Sequence, residues 1–220
     1  MFDALFNDPI GYLLDIALLA IPFLYGVIFH ELAHGWVALK LGDPTARLAG
    51  RLTLNPIKHL DPLGTVMFFL VHIGWAKPVP VNPGYFKNPS QGMIWVSLAG
   101  PIANFLQAAV YALIYHLIIG QRVPNISILP TVVYLLRDVA LFGVFVNLIL
   151  GFFNLIPIPP MDGSNILAGL LPARLARPYM SLARYGMVLV ILLAVFGVLS
   201  QILIPCTRFG MELLGLPRII

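Results

Sequence analysis

In the stretch Phe29-His30-Glu31-Leu32-Ala33-His34-Gly35, two histidines four positions apart enclose a glutamate. Residues four apart share one face of a helix, so His30 and His34 can each turn an imidazole nitrogen to a single metal ion. Glu31 stands one position off that face, near enough to act on a water at the metal but poorly placed to be a third ligand. This is the H-E-x-x-H pattern, in which two histidine ligands work with a carboxylate general base. Three fixed letters in five also arise by chance, and in satisfied core histidines. The setting weighs against chance, because the stretch lies in the second half of an apolar run from Tyr12 to Leu41. A charge at mid-membrane costs about 2.5–3.5 kcal/mol on insertion scales, so a polar cluster there calls for a function.

The elements that must carry this pattern are those of a membrane protein. The chain has 220 residues, 60% hydrophobic and 10% charged, a composition foreign to soluble globular domains. Several runs reach the roughly 20 apolar residues that cross a bilayer. The net charge of +4 is spread over loops beside these runs and reflects topology and lipid contact, so no nucleic-acid partner is expected. The single cysteine, Cys206, excludes an internal disulfide and a cysteine-based metal site. Met1 to Asp8 carries Asp3 and Asp8 in place of a basic leader region, so the first helix is expected to be retained.

Residues 10–41 are expected to form the first long helix, with Pro22 as a kink and Gly42-Asp43-Pro44 as its stop. Residues 42–90 hold too many prolines for continuous helix. Within them, 47–54 alternates polar and apolar residues around Gly50 and predicts a short strand or hairpin, and 77–81 predicts an extended edge segment. The apolar run 63–75 is short for a span and fits a re-entrant or interfacial segment. Further crossings are expected at 92–119, at 132–156 (broken by Pro157-Ile158-Pro159-Pro160) and at 181–204. Lysine and arginine concentrate in 40–90 and 170–184, which puts those loops in the cytoplasm and both termini outside. His30 and His34 then lie below the cytoplasmic surface of the membrane but short of its midplane.

A catalytic zinc site takes three protein ligands and keeps a position open. Most carboxylates stand near the termini, at outer helix ends or in turns, which leaves Asp61 and Asp162. Asp162 follows the proline-broken stretch Asn154-Leu155-Ile156-Pro157-Ile158-Pro159-Pro160-Met161-Asp162-Gly163, a place where a loop carboxylate can turn inward. Asp162-Gly163 alone is more often an ordinary turn.

H-E-L-A-H in one membrane helix, then Gly100-Pro101-Ile102-Ala103-Asn104 in a middle one, then N-L-I-P-I-P-P-M-D-G at the end of a later one, resembles the site-2 protease family of intramembrane zinc metalloproteases. The likeness covers roughly residues 10–170. It implies one zinc ion per chain held by His30, His34 and Asp162, with Glu31 as general base and Asn154 near the scissile carbonyl. It also implies a substrate-binding role for Asn104, with Gly100 beside it, and a small membrane-associated sheet built from 47–54 and 77–81. The fold class expected is thus an α-helical polytopic membrane protein, with about four full transmembrane helices, a short or re-entrant segment and that sheet. Residues 1–220 are expected to be a single integral-membrane protease domain, its catalytic core about 10–170 and 181–204 an added helix. A PDZ domain and a nucleotide-binding regulatory domain, which some relatives carry, have no counterpart in the chain.

The function implied is zinc-dependent endoproteolysis within or next to transmembrane segments of membrane-protein substrates, in the cell membrane, with the lipid bilayer as the other partner. A membrane-protein binding or chaperone-like protein with a structural zinc site is the rival from another class. A metal or proton transporter is weaker, since no inverted repeat is evident. His59 and His72 are placed off the metal, as a loop residue and a buried or cavity-lining one.

Overall fold

The computed structural model describes residues 9–62, 64, 66, 76–120 and 129–217. Helix α1 (Pro9–Lys40) runs unbroken through Pro22. A short helix α2 (Thr45–Leu48) follows. Helix α3 (Pro89–Ile119) begins where Pro89 pre-sets the first turn and the Asn88 side chain accepts from the Gln91 backbone N–H at 3.2 Å, the usual chemistry of a helix start. Helix α4 (Leu129–Asn154) leads into the proline loop, and α5 (Asp162–Leu170) leaves it. Helices α6 (Ala173–Ser181), α7 (Ala183–Val195) and α8 (Val198–Leu213) complete the chain.

Helix α3 shows how the fold meets its surroundings. Leu106, Val110, Leu113 and Leu117, spaced by four, three and four, are all more than half exposed. A continuous apolar stripe of this kind faces lipid rather than water. The opposite face carries Gly100, Asn104, Ala108, Ala112 and Tyr115, all buried. Ala108, Ala112 and Tyr115 join Ala140, Val144, Leu148, Met211 and Leu216 in the main core, where α3, α4 and α8 meet. Small residues let these helices approach closely. Gly143 lies against the Tyr111 ring and Gly151 against Phe105, the packing by which membrane helices gain van der Waals contact.

Two expectations of the sequence are corrected here. Among the described residues, α3 and the Val132–Asn154 part of α4 are long and apolar enough to cross a membrane, and α6 with α7, bent by 62°, would make a third. That is two or three crossings among the described residues, against the four expected. The run 181–204 is divided, because Gly197 takes a left-handed φ of 73° that ends α7 before α8 begins. The run 63–75 lies almost wholly outside the described residues, and His72 with it.

The second correction is the sheet. No strand occurs among the described residues, and the only pairing is an isolated bridge between Leu60 and Ala76. Residues 45–48 are helical, and Gly50, with φ of 65°, turns the chain instead of continuing a strand. Residues 77–81 are extended, but side chains take their backbone groups. Arg51 donates to the Lys77 and Pro78 carbonyls, Glu31 accepts from the Val79 N–H at 2.7 Å, and the His59 carbonyl accepts from Lys77 N–H. Pro78 and Pro80 have no N–H to offer a neighbouring strand.

Asp43 anchors the far end of this segment. It is fully buried and accepts from the Thr45 N–H at 2.9 Å, the Thr45 hydroxyl, and the Asn82 N–H at 2.7 Å. Burial alone would raise its pKa, but these donors favour the charged form and hold it below the ordinary carboxylate value. A folded-state pKa below the unfolded one stabilises at neutral pH, and that contribution is lost as pH falls through the folded value. Thermal melts across pH should therefore show Asp43→Asn less stable than wild type at pH 7, with the gap closing in acid.

Candidate metal centre

The centre is assembled where α1, α3 and the start of α5 meet. His30 and His34 sit one turn apart on α1, their rings edge to face with centroids 4.5 Å apart and their Nε2 atoms separated by 2.9 Å. The Asp162 Oδ2 lies 3.1 Å from His30 Nε2 and 3.2 Å from His34 Nε2. Of the two carboxylates left open by the sequence, Asp162 is the one brought to the histidines. Asp61 accepts from the Gly64 N–H at 2.8 Å and lines the cavity beside them.

Helix α3 supplies the wall behind the rings. A Cβ on Gly100 would fall 2.5 Å from His30 Cε1 and 2.5 Å from His34 Nε2, so only glycine leaves room for both rings against this helix. One turn on, the Asn104 Oδ1 faces His30 Nδ1 at 2.6 Å. Its amide nitrogen donates to the Gly26 carbonyl and to Asn147 Oδ1, both at 3.0 Å. Asn104 is fully buried, with its amide nitrogen committed to these two bonds and its oxygen toward His30, and it also lines the cavity beside the cluster. Gly100 backs the imidazoles. His34 Nδ1 lies 2.7 Å from the Val96 carbonyl.

Asp162 is aimed by the loop before it. Met161 N–H donates to the Ile158 carbonyl at 2.9 Å, and the Ser164 hydroxyl donates to the Met161 carbonyl at 2.7 Å. A side chain at Gly163 would run into the Leu155 and Ile156 carbonyls, so glycine there lets the turn fold back on the end of α4. The loop is braced from outside. The Tyr179 hydroxyl of α6 donates to the Pro157 carbonyl at 2.8 Å, and Gly186 of α7 lies against the Pro159 carbonyl.

The donor set fits a zinc ion on the hydrogen-bond logic alone. The Val96 carbonyl can only accept, so His34 carries its proton on Nδ1 and leaves Nε2 bare. Asn104 is oriented with its oxygen to His30, which imposes the same tautomer there. Two bare imidazole nitrogens and a carboxylate oxygen then face one another within 3.2 Å, and Asp162 Oδ2 is buried with no hydrogen-bond partner. Such a cluster of acceptors repels itself unless a cation sits among them. Bonds of about 2.0–2.1 Å in tetrahedral geometry put ligand atoms ~3.3 Å apart, close to the spacing found.

A cavity of about 690 Å³ opens beside this cluster, lined among others by Glu31, Ser97, Asn154, Asn165 and Val79. The Asn154 side chain donates to the Leu150 carbonyl at 3.0 Å. His59 is buried off the metal, with Nε2 2.8 Å from the Thr53 carbonyl. Asn147 and Asn165 were not singled out from the sequence. For Asn147 the signal was available, since an amide in the middle of an apolar helix needs partners as much as Asn104 does.

Comparison with known proteins agrees with this chemistry. The pattern described as peptidase family M50 matches residues 18–197. YwhC of Bacillus subtilis strain 168, a candidate zinc metalloprotease by its name, is 37% identical over 194 residues, 88% of this chain and 87% of its own length. The zinc metalloprotease MJ0392 of Methanocaldococcus jannaschii is 30% identical over 188 residues, 84% of this chain but 44% of its own. Among solved structures, the site-2 protease from Methanocaldococcus jannaschii is 24% identical, with 93% of this chain and 80% of that one covered and a TM-score of 0.42.

Proposed function

This chain belongs to peptidase family M50, the zinc metalloproteases of site-2 type, and on that premise we propose that it hydrolyses peptide bonds within or next to transmembrane segments of other membrane proteins. The observation that carries this reading is the convergence of His30, His34 and Asp162 beside α3, whose outer face is an apolar stripe suited to lipid. The lysine and arginine distribution supports an orientation with the site toward the cytoplasmic side, and the membrane we propose is the cell membrane.

His30, His34 and Asp162 are the residues that would hold the metal. When bound, zinc supplies a Lewis acid that polarises the peptide carbonyl and makes water nucleophilic near neutral pH. Glu31 takes a proton from the attacking water and delivers it to the amide nitrogen as the C–N bond breaks. A carboxylate has two oxygens. The Val79 N–H holds one of them at 2.7 Å, which orients Glu31 and leaves the other for the proton. Asn154 spends one amide N–H on Leu150, and its second is free to stabilise the negative charge that grows on the carbonyl oxygen. Val79, Met161 and Phe153 give the cavity apolar walls that limit bulk water around these groups.

The experiment compares membrane proteomes of cells carrying the wild-type chain and the Glu31→Gln form. Single-span proteins or their membrane-embedded remnants should accumulate uncut, severalfold or more, in the variant. Identical membrane proteomes would count against intramembrane cleavage.

A further inference from the structure

Asn147 lies at the start of a chain of oriented amides that ends on His30. It sits in the C-terminal half of α4, fully buried, and its hydrogen bonds go to Asn104 and Gly143 rather than to the metal cluster. Its amide nitrogen donates to the Gly143 carbonyl, one turn back on its own helix, at 2.9 Å. A backbone carbonyl can only accept, so this bond fixes which end of the Asn147 amide is oxygen. That oxygen then accepts from the Asn104 nitrogen at 3.0 Å, while the other Asn104 N–H goes to the Gly26 carbonyl at 3.0 Å. With both nitrogen protons committed, the Asn104 oxygen is left facing His30 Nδ1 at 2.6 Å.

We propose that Asn147 is a positioning residue for the metal centre, setting the tautomer of His30 through Asn104. Three helices take part: the Gly26 carbonyl and His30 from α1, Asn104 from α3, Asn147 and the Gly143 carbonyl from α4. Gly26 also makes room, since a Cβ there would stand 3.1 Å from Asn147 Oδ1. If the Asn104 amide were reversed, two donors would face each other at His30 Nδ1 unless the imidazole moved its proton to Nε2. That shift would close the nitrogen aimed at the cluster. Asn104, bonded to His30 itself, is the kind of partner whose loss changes metal affinity by roughly 10–100-fold, and Asn147, one link further out, acts through it.

The inference rests on the proposed ligand role of His30. Its readouts are taken without any peptide substrate, so that failure here leaves the peptidase reading standing. The first is the ¹⁵N spectrum of histidine-labelled protein in lipid nanodiscs, read with zinc bound. Wild type should show His30 protonated on Nδ1, and an Nε2-protonated His30 would overturn the proposal whatever the variants do. The second is zinc affinity by competition with a chelator. Asn147→Leu should weaken zinc binding about 10-fold, the low end of the range for a group bonded directly to a ligand, and mix the His30 tautomers, whereas Asn147→Asp, which keeps an oxygen toward Asn104, should recover most of the affinity. Val144→Ala, a cavity in the same helix, should leave affinity as it is. Wild-type affinity and tautomer in Asn147→Leu, or an equal loss in Val144→Ala, would contradict a positioning role.

Discussion

Glu31→Gln should keep one zinc per chain and lose peptide cleavage by on the order of 10²–10⁴-fold, the usual contribution of a positioned general base. The substitution is close to isosteric, and its side-chain oxygen can still accept from the Val79 N–H that now holds Glu31 at 2.7 Å. The 77–81 segment should therefore stay in place, along with the cluster of His30, His34 and Asp162. What disappears is the basic oxygen left over for the water's proton. Zinc content and cleavage of a reconstituted membrane-spanning peptide, measured on the same preparation, separate the two properties. Cleavage at wild-type rate in the variant would remove Glu31 from the mechanism.

Gly100→Ala should empty the metal site, with zinc affinity falling by at least the 10–100-fold seen when supporting groups are lost. The added methyl would stand 2.5 Å from one atom of each imidazole and 2.6 Å from a second atom of His30, well inside contact distance. Neither partner can yield easily. The rings are held from α3 itself through Asn104 and the Val96 carbonyl, so moving the helix away breaks the bonds that orient them. Metal analysis after dialysis against a mild chelator gives the answer, with a melting curve to show that the variant is folded. Full zinc occupancy in a folded Gly100→Ala protein would mean that the histidines are not where the metal binds.

The H-E-x-x-H face could be read from the sequence because it is local, resting only on the 3.6-residue period of a helix. The approach of Asp162 to that face spans more than 120 residues, and no periodicity reports it. It was reached by removing carboxylates in unsuitable places and by resemblance, and the structure brings its oxygen to 3.1 and 3.2 Å from the two rings. The sheet failed for a physical reason. Alternation at 47–54 predicts a strand only if a partner strand exists, and here the extended 77–81 segment is satisfied by the Arg51 guanidinium and the Glu31 carboxylate instead. Bonds from side chain to distant backbone leave no trace in a hydropathy pattern. Asn104 was read from the resemblance as a group for substrate, and a lone buried amide in a helix does not declare its hydrogen-bond partners. The partner became visible only once Asn147, 43 residues away, stood beside it. The last apolar run was long enough for one helix, and a single left-handed residue, Gly197, divided it.

Anomalous diffraction at the zinc edge, from crystals of the chain grown in lipid with its native metal, tests the central claim most directly. The arrangement of His30, His34 and Asp162 predicts one zinc peak per chain, about 2.0–2.2 Å from both Nε2 atoms and from a carboxylate oxygen of Asp162. A peak that lies elsewhere, or one that touches the histidines while Asp162 stays out of reach, would contradict it.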